Sequence, residues 1–148
     1  MGHNQVMVVE RDGGRTARLF DDRGRLTLEQ GPTGARAESV WDERDRLTQV
    51  RLTPAARSGR TGGPRDAQGR DAVSVTRYEY EGEDRNPSVI TDPEGGVWRM
   101  EYTAAGRLAA RVDPLGGRTE VTYDSAGQEA CTVDELGREL RQTWDDLG

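Results

Sequence analysis

Cysteine and histidine each occur once, at Cys131 and His3, and that scarcity removes several kinds of chemistry at the outset. One cysteine excludes an internal disulfide framework, although it leaves the redox compartment open, because repeat proteins are exported without disulfides. One histidine near the terminus assembles no Ser-His-Asp or Cys-His arrangement and no histidine-rich metal site. Histidine-based catalysis is thereby excluded, and no cofactor or metal is expected. Apolar residues are also sparse. With 32% hydrophobic residues against 32% charged, and 19 glycines, a chain of 148 residues cannot fill a thick core. At least one face of the fold must stay wet. No apolar run reaches membrane-spanning length, and residues 1–10 lack both a basic start and a small-residue cleavage site. Neither membrane insertion nor an export signal is expected of this chain. The net charge of −6 and pI near 4.9 come without a clustered basic surface, which argues against a nucleic-acid partner.

What the chain has in abundance is a repeat. Tyr102, Tyr123 and Trp144 are 21 residues apart, as are Phe20 and Trp41, and most of them open an aromatic-Asp-x-x-Gly pattern or a one-residue variant of it. A second turn precedes each aromatic by ten residues: Asp92-Pro93-Glu94-Gly95, Asp113-Pro114-Leu115-Gly116 and Asp134-Glu135-Leu136-Gly137. Degraded copies stand at Glu10-Arg11-Asp12-Gly13 and Gly31-Pro32-Thr33-Gly34. A period of this length marks an array of one small unit.

Between the turns the residues alternate. Leu108, Ala110 and Val112 share one face of a strand and Arg107 and Arg111 the other; Thr119, Val121 and Tyr123 alternate in the same way, as do Trp98, Met100 and Tyr102. The turns have chemical reasons: Asp hydrogen-bonds backbone two residues on, Pro presets its φ, and Gly takes φ > 0. Turns this short join antiparallel neighbours. The fold class expected is therefore all-β, a repetitive antiparallel hairpin meander forming an open curved sheet segment. Strands are expected at 15–20, 25–30, 36–41, 46–52, 73–80, 86–91, 97–102, 107–112, 118–123, 128–133 and 139–144.

The first turn's glycine position falls at His3, Gly24, Asp45, Asp84, Gly106, Gly127 and Gly148, with spacings of 21, 21, 39, 22, 21 and 21. One array of about six repeats over 1–148 is expected, with a flexible insertion at 53–71. The Pro- and Gly-rich composition of that insertion favours a solvated loop over a docking surface made by Arg57, Arg60, Arg65 and Arg70.

Tyr123-Asp124-Ser125-Ala126-Gly127, then Asp134-Glu135-Leu136-Gly137-Arg138, then Trp144-Asp145 closely resembles the YD-repeat, or Rhs-repeat, family. So does Tyr102-Thr103-Ala104-Ala105-Gly106-Arg107-Leu108 followed by Asp113-Pro114-Leu115-Gly116. The resemblance implies large secreted or surface proteins whose repeats wind a β-sheet into a hollow shell. In polymorphic toxins that shell encloses a variable toxin, in teneurins it is an extracellular barrel, and the repeats are often described as carbohydrate-binding. The chain resembles a segment of such a shell, without room for a toxin domain. Its implied partners are the remainder of a larger shell, an encapsulated toxin domain and, as an alternative, a cell-surface glycan. Asp92-Pro93-Glu94-Gly95-Gly96 and Asp113-Pro114-Leu115-Gly116-Gly117 superficially resemble the family's Asp-Pro-x-Gly-Leu self-cleavage element. Each has Gly in place of Leu and sits at the ordinary turn phase, so both are read as turns.

The remaining candidates have simpler structural readings. Cys131 shares the strand phase of Ala110 and reads as a small buried residue. The carboxylates Asp21-Asp22, Asp124 and Asp145-Asp146 suit turns better than a Ca²⁺ site. Trp41, Trp98 and Trp144 read as packing residues before sugar-stacking ones. The residues expected to matter are those of the repeat motif: Phe20, Asp21, Gly24, Trp41, Asp42, Asp92, Gly95, Tyr102, Gly106, Asp113, Gly116, Tyr123, Asp124, Gly127, Asp134, Gly137, Trp144, Asp145 and Gly148. The function expected is non-catalytic: a wall segment that encapsulates or presents another polypeptide, with glycan recognition as the alternative.

Overall fold

The computed structural model describes residues 4–9, 14–55 and 72–142. All regular structure among them is β, in twelve strands. The chain divides into two compact units, Met1–Arg77 and Tyr78–Gly148. The first holds β1 (Asn4–Val9), β2 (Arg15–Phe20), β3 (Leu26–Gln30), β4 (Arg36–Trp41) and β5 (Leu47–Thr53), and most of β6 (Ser74–Glu79). The second holds β7 (Val89–Thr91), β8 (Val97–Tyr102), β9 (Leu108–Val112), β10 (Arg118–Tyr123), β11 (Glu129–Val133) and β12 (Glu139–Arg141).

These segments become strands because two-residue alternation of apolar and polar side chains suits a pleated ribbon, and because each is cut off by a turn before it can lengthen. In the first unit β1 pairs antiparallel with β2, β2 with β3, β3 with β4, β4 with β5 and β5 with β6. In the second, β7 through β12 pair in succession in the same way. Four of the hairpins share one irregularity. The register shifts at Leu19/Phe20, Val40/Trp41, Glu101/Tyr102 and Thr122/Tyr123, each time immediately before the motif's aromatic residue. A bulge there re-aims the aromatic ring and increases local twist.

Registers also assign the faces. In the second unit Glu101, Ala110 and Glu120 stand in one row, and Arg99, Val112 and Arg118 in the next. The opposite face carries Met100, Arg111 and Thr119 in a row, with Ile90 beside Trp98 and Val121 beside Thr132. The apolar sets of β9 and β10 therefore lie on opposite sides of the sheet.

Among the described residues the only buried hydrophobic is Ala110 at 1% exposure, and the only buried polar residue is Thr16. Most other strand residues are half-buried by lateral neighbours. Several strands differ from their expected extents. The segment 86–91 is strand only at Val89–Thr91, because Asn86, Pro87 and Ser88 are taken up in bonds to other segments. The strand at 139–144 is described as far as Arg141, and its last residues lie outside the described set. β1 is an additional strand. Most of the insertion, residues 56–71, lies outside the described residues, as do Trp144, Asp145 and Gly148.

Candidate functional site

The six motif aspartates among the described residues do similar local work. Asp21 Oδ1 accepts the N–H groups of Arg23 and Arg25 at 3.0 and 2.9 Å. Asp42 accepts those of Arg44 and Arg46 at 2.8 and 2.9 Å, and Asp92 those of Glu94 and Gly96 at 3.1 and 2.7 Å. Asp113 accepts Leu115 and Gly117, both at 2.8 Å, and Asp134 accepts Leu136 and Arg138 at 3.0 and 2.9 Å. Asp124 accepts Gln128 at 2.9 Å. Each is an Asx-type closure, in which a carboxylate replaces the backbone acceptor that a tight turn lacks.

The second carboxylate oxygen has two fates. Where arginine stands four residues on, its Nε donates to that oxygen: Arg25 to Asp21 at 2.7 Å, Arg46 to Asp42 at 2.7 Å and Arg138 to Asp134 at 2.5 Å. Where glycine stands there, the oxygen fills the space that a side chain would take. A methyl on Gly117 would sit 2.7 Å from Asp113 Oδ2, and one on Gly96 would meet Asp92 Oδ2 at 2.5 Å and Pro114 at 2.9 Å. The bonds shift the acidity of these turns. Backbone N–H donation from Arg46, aided by its guanidinium, holds the Asp42 carboxyl below the ordinary aspartate value. Asp134 is lowered in the same way by Arg138. At Asp21, desolvation pulls the pKa upward, but the bonds from Arg25 and Arg23 outweigh it and the net direction is down.

The glycines close the turns. Gly24, Gly95, Gly106, Gly116, Gly127 and Gly137 all have φ between 76° and 89°, the left-handed region that β-carbons resist. The 81–84 turn carries its positive φ at Gly82 rather than at Asp84, and Asp45 holds φ 61° at the glycine position. Its Oδ1 accepts Arg25 Nη1 at 2.7 Å and Arg23 Nη1 at 3.1 Å, both from the preceding repeat.

The aromatics use their polar tips internally. Trp41 Nε1 donates to Leu26 O at 2.9 Å, Tyr102 Oη to Pro87 O at 3.1 Å and Tyr123 Oη to Leu108 O at 2.8 Å, in every case fifteen residues back. Leu26 and Leu108 stand opposite Phe20 and Tyr102, at the register shifts of their hairpins, so Trp41 and Tyr123 each bond a carbonyl at a break in the ladder. Phe20 has no polar tip. Trp98 Nε1 reaches Asp92 Oδ2 at 3.3 Å, and Arg111 lies 5.6 Å over its ring. Burial raises the Tyr102 phenol pKa.

Charged side chains form a lattice on one face of the second unit. Arg118 grips Glu101 through Nη1 and Nη2 at 2.6 and 2.8 Å and Glu120 through Nε at 2.8 Å. The Arg118 bond holds the Glu101 carboxyl below its usual range. No group of three or more metal-ligating side chains exists among the described residues. Cys131 is a half-buried free thiol opposite Thr122 and Arg141, more open than Ala110 because only the short β12 covers its outer side. An open groove of about 720 Å³ lies beside Tyr102, lined by Glu81, Asn86, Ser88 and Met100. The turn residues and the aromatics are legible in the sequence, whereas Arg25, Asn86, Arg107 and Arg118 act on partners 17 to 20 residues away. A signal was present: arginine recurs directly after the turn position at Arg25, Arg46, Arg107 and Arg138.

A hairpin array with aspartate-closed turns and bulge-seated aromatics at one period is a β-repeat protein. Residues 86–119 and 102–138 match the family model described as RHS Repeat, so the stretch 86–138 carries Rhs repeats. No match was found among curated proteins. Among solved structures, the chain is similar to the crystal structure of TcdB2-TccC3 without its hypervariable C-terminal region: 14% identity, TM-score 0.54, covering 95% of this chain and 9% of that one. The crystal structure of TcdB2-TccC3 aligns over 80% of this chain and 7% of its own, with 19% identity and a TM-score of 0.38. The likeness to the first is one of fold, and this chain spans less than a tenth of its length.

Proposed function

We propose that the chain is a non-catalytic stretch of Rhs/YD-type shell wall, part of a larger secreted or cell-surface protein, that helps to encapsulate or present a toxin or other polypeptide. The carrying observation is that its motif side chains point their chemistry inward to the fold. Turn carboxylates hold backbone N–H groups, aromatic tips hold backbone carbonyls, and arginines hold turn carbonyls. Such a layer can enclose a volume only as part of something longer. The match to Rhs repeats and the fold shared with the TcdB2-TccC3 structure support that reading. Glycan recognition by the tryptophans draws less support, since Trp41 and Trp98 both donate their indole N–H internally and Trp98 has Arg111 over its ring.

The test is to express the gene product that contains residues 1–148 together with whatever flanks them, then treat it with protease before and after denaturation. A wall predicts a flanking polypeptide that resists digestion until the repeats unfold. Digestion of that polypeptide at the same rate in both states would reject the proposal.

A further inference from the structure

Three side chains share a geometry that the turn motif does not require. Arg25 Nη1 donates to Asp42 O at 2.7 Å and to Asp45 Oδ1 at 2.7 Å, within the first unit. Asn86 Nδ2 donates to Gly106 O at 2.9 Å and Arg107 Nη1 to Gly127 O at 2.7 Å, both within the second. Arg25, Asn86 and Arg107 each meet the turn residue twenty positions on: Asp45, Gly106 and Gly127 respectively. Those turns close without these groups. Gly106 N–H bonds Thr103 O and Thr103 N–H bonds Arg107 O, so Gly106 O takes no part in its own turn's closure, and Gly127 O stands likewise in the 124–128 turn. At Gly106 and Gly127 the outward carbonyl of a left-handed residue is met by a donor from the repeat before it, whereas Arg25 meets Asp42 O, which also accepts Asp45 N–H, and the Asp45 carboxylate.

We propose that Arg25, Asn86 and Arg107, one or two residues after their aromatic-side turns, are staples, positioning residues that hold the next repeat's turn and so couple consecutive repeats along one margin of each unit. It deepens the wall reading above and rests on the stacking of repeats that the reading assumes. The chemistry required is a hydrogen-bond donor of sufficient reach rather than a charge, because the neutral amide of Asn86 makes the same bond as the arginines. The opposite margin has a different contact: Pro114 of one Asp-Pro turn comes within 2.9 Å of the site a methyl on Gly96 would occupy in the turn before it.

The staple makes a directional claim that a local role does not: its loss disturbs the downstream turn more than its own. Backbone amide exchange in the full chain tests it. Arg107→Ala should speed exchange at residues 124–128 by roughly fivefold, the effect of losing one hydrogen bond, and leave 103–107 unchanged. Arg107→Gln should restore protection, since an amide suffices. Asn86→Ala should loosen 103–106 in the same manner and covers the case in which the Arg107 variant does not fold. Equal loosening of 103–107, unchanged exchange at 124–128, or failure of Arg107→Gln to restore it would overturn the staple; the last would point to the stacking of Arg107 on the Tyr123 ring at 5.4 Å instead. Protease protection of a flanking polypeptide fails or holds independently of this exchange pattern, so the two readings fail separately.

Discussion

Arg118 on β10 reaches across β9 to Glu101 on β8 with a two-nitrogen grip of 2.6 and 2.8 Å, and Ala110 lies in the strand between them. The most enclosed residue of the described set thus lies on the strand that this ion pair spans. Only a small side chain leaves room for that bridge. Ala110→Leu should force the carboxylate and guanidinium apart and lower stability by about 1–3 kcal/mol, the range for overpacked sites. Thermal unfolding checks this. Arg118→Ala should cost less, since the pair stands in solvent, and an Arg118→Ala loss exceeding that of Ala110→Leu would refute the assignment.

Tyr123 contributes a ring and a hydroxyl that separate cleanly by mutation. Tyr123→Phe removes only the bond to Leu108 O and should cost roughly 0.5–1.5 kcal/mol. Tyr123→Ala also opens the sheet surface and should cost about 2–3 kcal/mol, below the 3–5 of fully enclosed aromatics because this ring is half-buried. Denaturant titration of both variants gives the two numbers; equal losses would mean the ring packs against nothing.

Positions Gly116 and Gly117 should answer differently to substitution. Gly116 has φ 89°, where valine is strained by about 1–3 kcal/mol. Gly117 has an ordinary backbone, and the atoms nearest to a side chain placed there are those of the Asp113 carboxylate. Gly117→Arg converts the turn into the form seen at Asp21 and Arg25, in which the aspartate swings to meet Nε. It should be tolerated within about 0.5 kcal/mol, as surface changes usually are. The melting temperatures of the two variants test the contrast, and a large loss for Gly117→Arg would sink it.

Acid should unfold the turns before it affects much else. In the unfolded chain the aspartates titrate near 3.8 and Glu101 near 4.5, whereas in the fold Asp21, Asp42, Asp134 and Glu101 all titrate lower. The folded state then binds fewer protons, so the stabilisation from these groups is complete above the unfolded values and fades as pH falls through the lowered ones. Melting temperature should be flat from neutrality down to about pH 5 and fall steeply below the unfolded values. Asp42→Asn should flatten that fall more than Asp124→Asn, because Asp42 also binds Arg46. A melting curve whose acid limb is the same in Asp42→Asn as in the parent would contradict the account.

The period and the turn chemistry were legible in the sequence because Asp, Pro and Gly act within four residues of themselves. Asp113 and Gly116 announce their hairpin without help from anything distant. The faces were less legible. Leu108, Ala110 and Val112 read as one apolar stripe, yet pairing sets Ala110 between Glu101 and Glu120, and register depends on bulges at Glu101/Tyr102 and Thr122/Tyr123 that no short pattern encodes. β1 escaped for a related reason. Val6 to Val9 is a continuous apolar run without alternation or a flanking aromatic turn, and its strand character comes from pairing with β2. The donors Arg25, Asn86 and Arg107 answer to partners a full repeat away, and only a backbone could show which carbonyl each would find.

A sheet whose residues are enclosed only by lateral neighbours has no three-dimensional jigsaw to conserve. In a packed domain, each core substitution constrains many others, which slows the drift of related sequences. Here a side chain answers to the residues beside it and to the turn that ends its strand. Sequences with this hairpin spacing can therefore differ in most of their letters and still take the same fold, as the 14% identity and the likeness of fold across 95% of this chain illustrate.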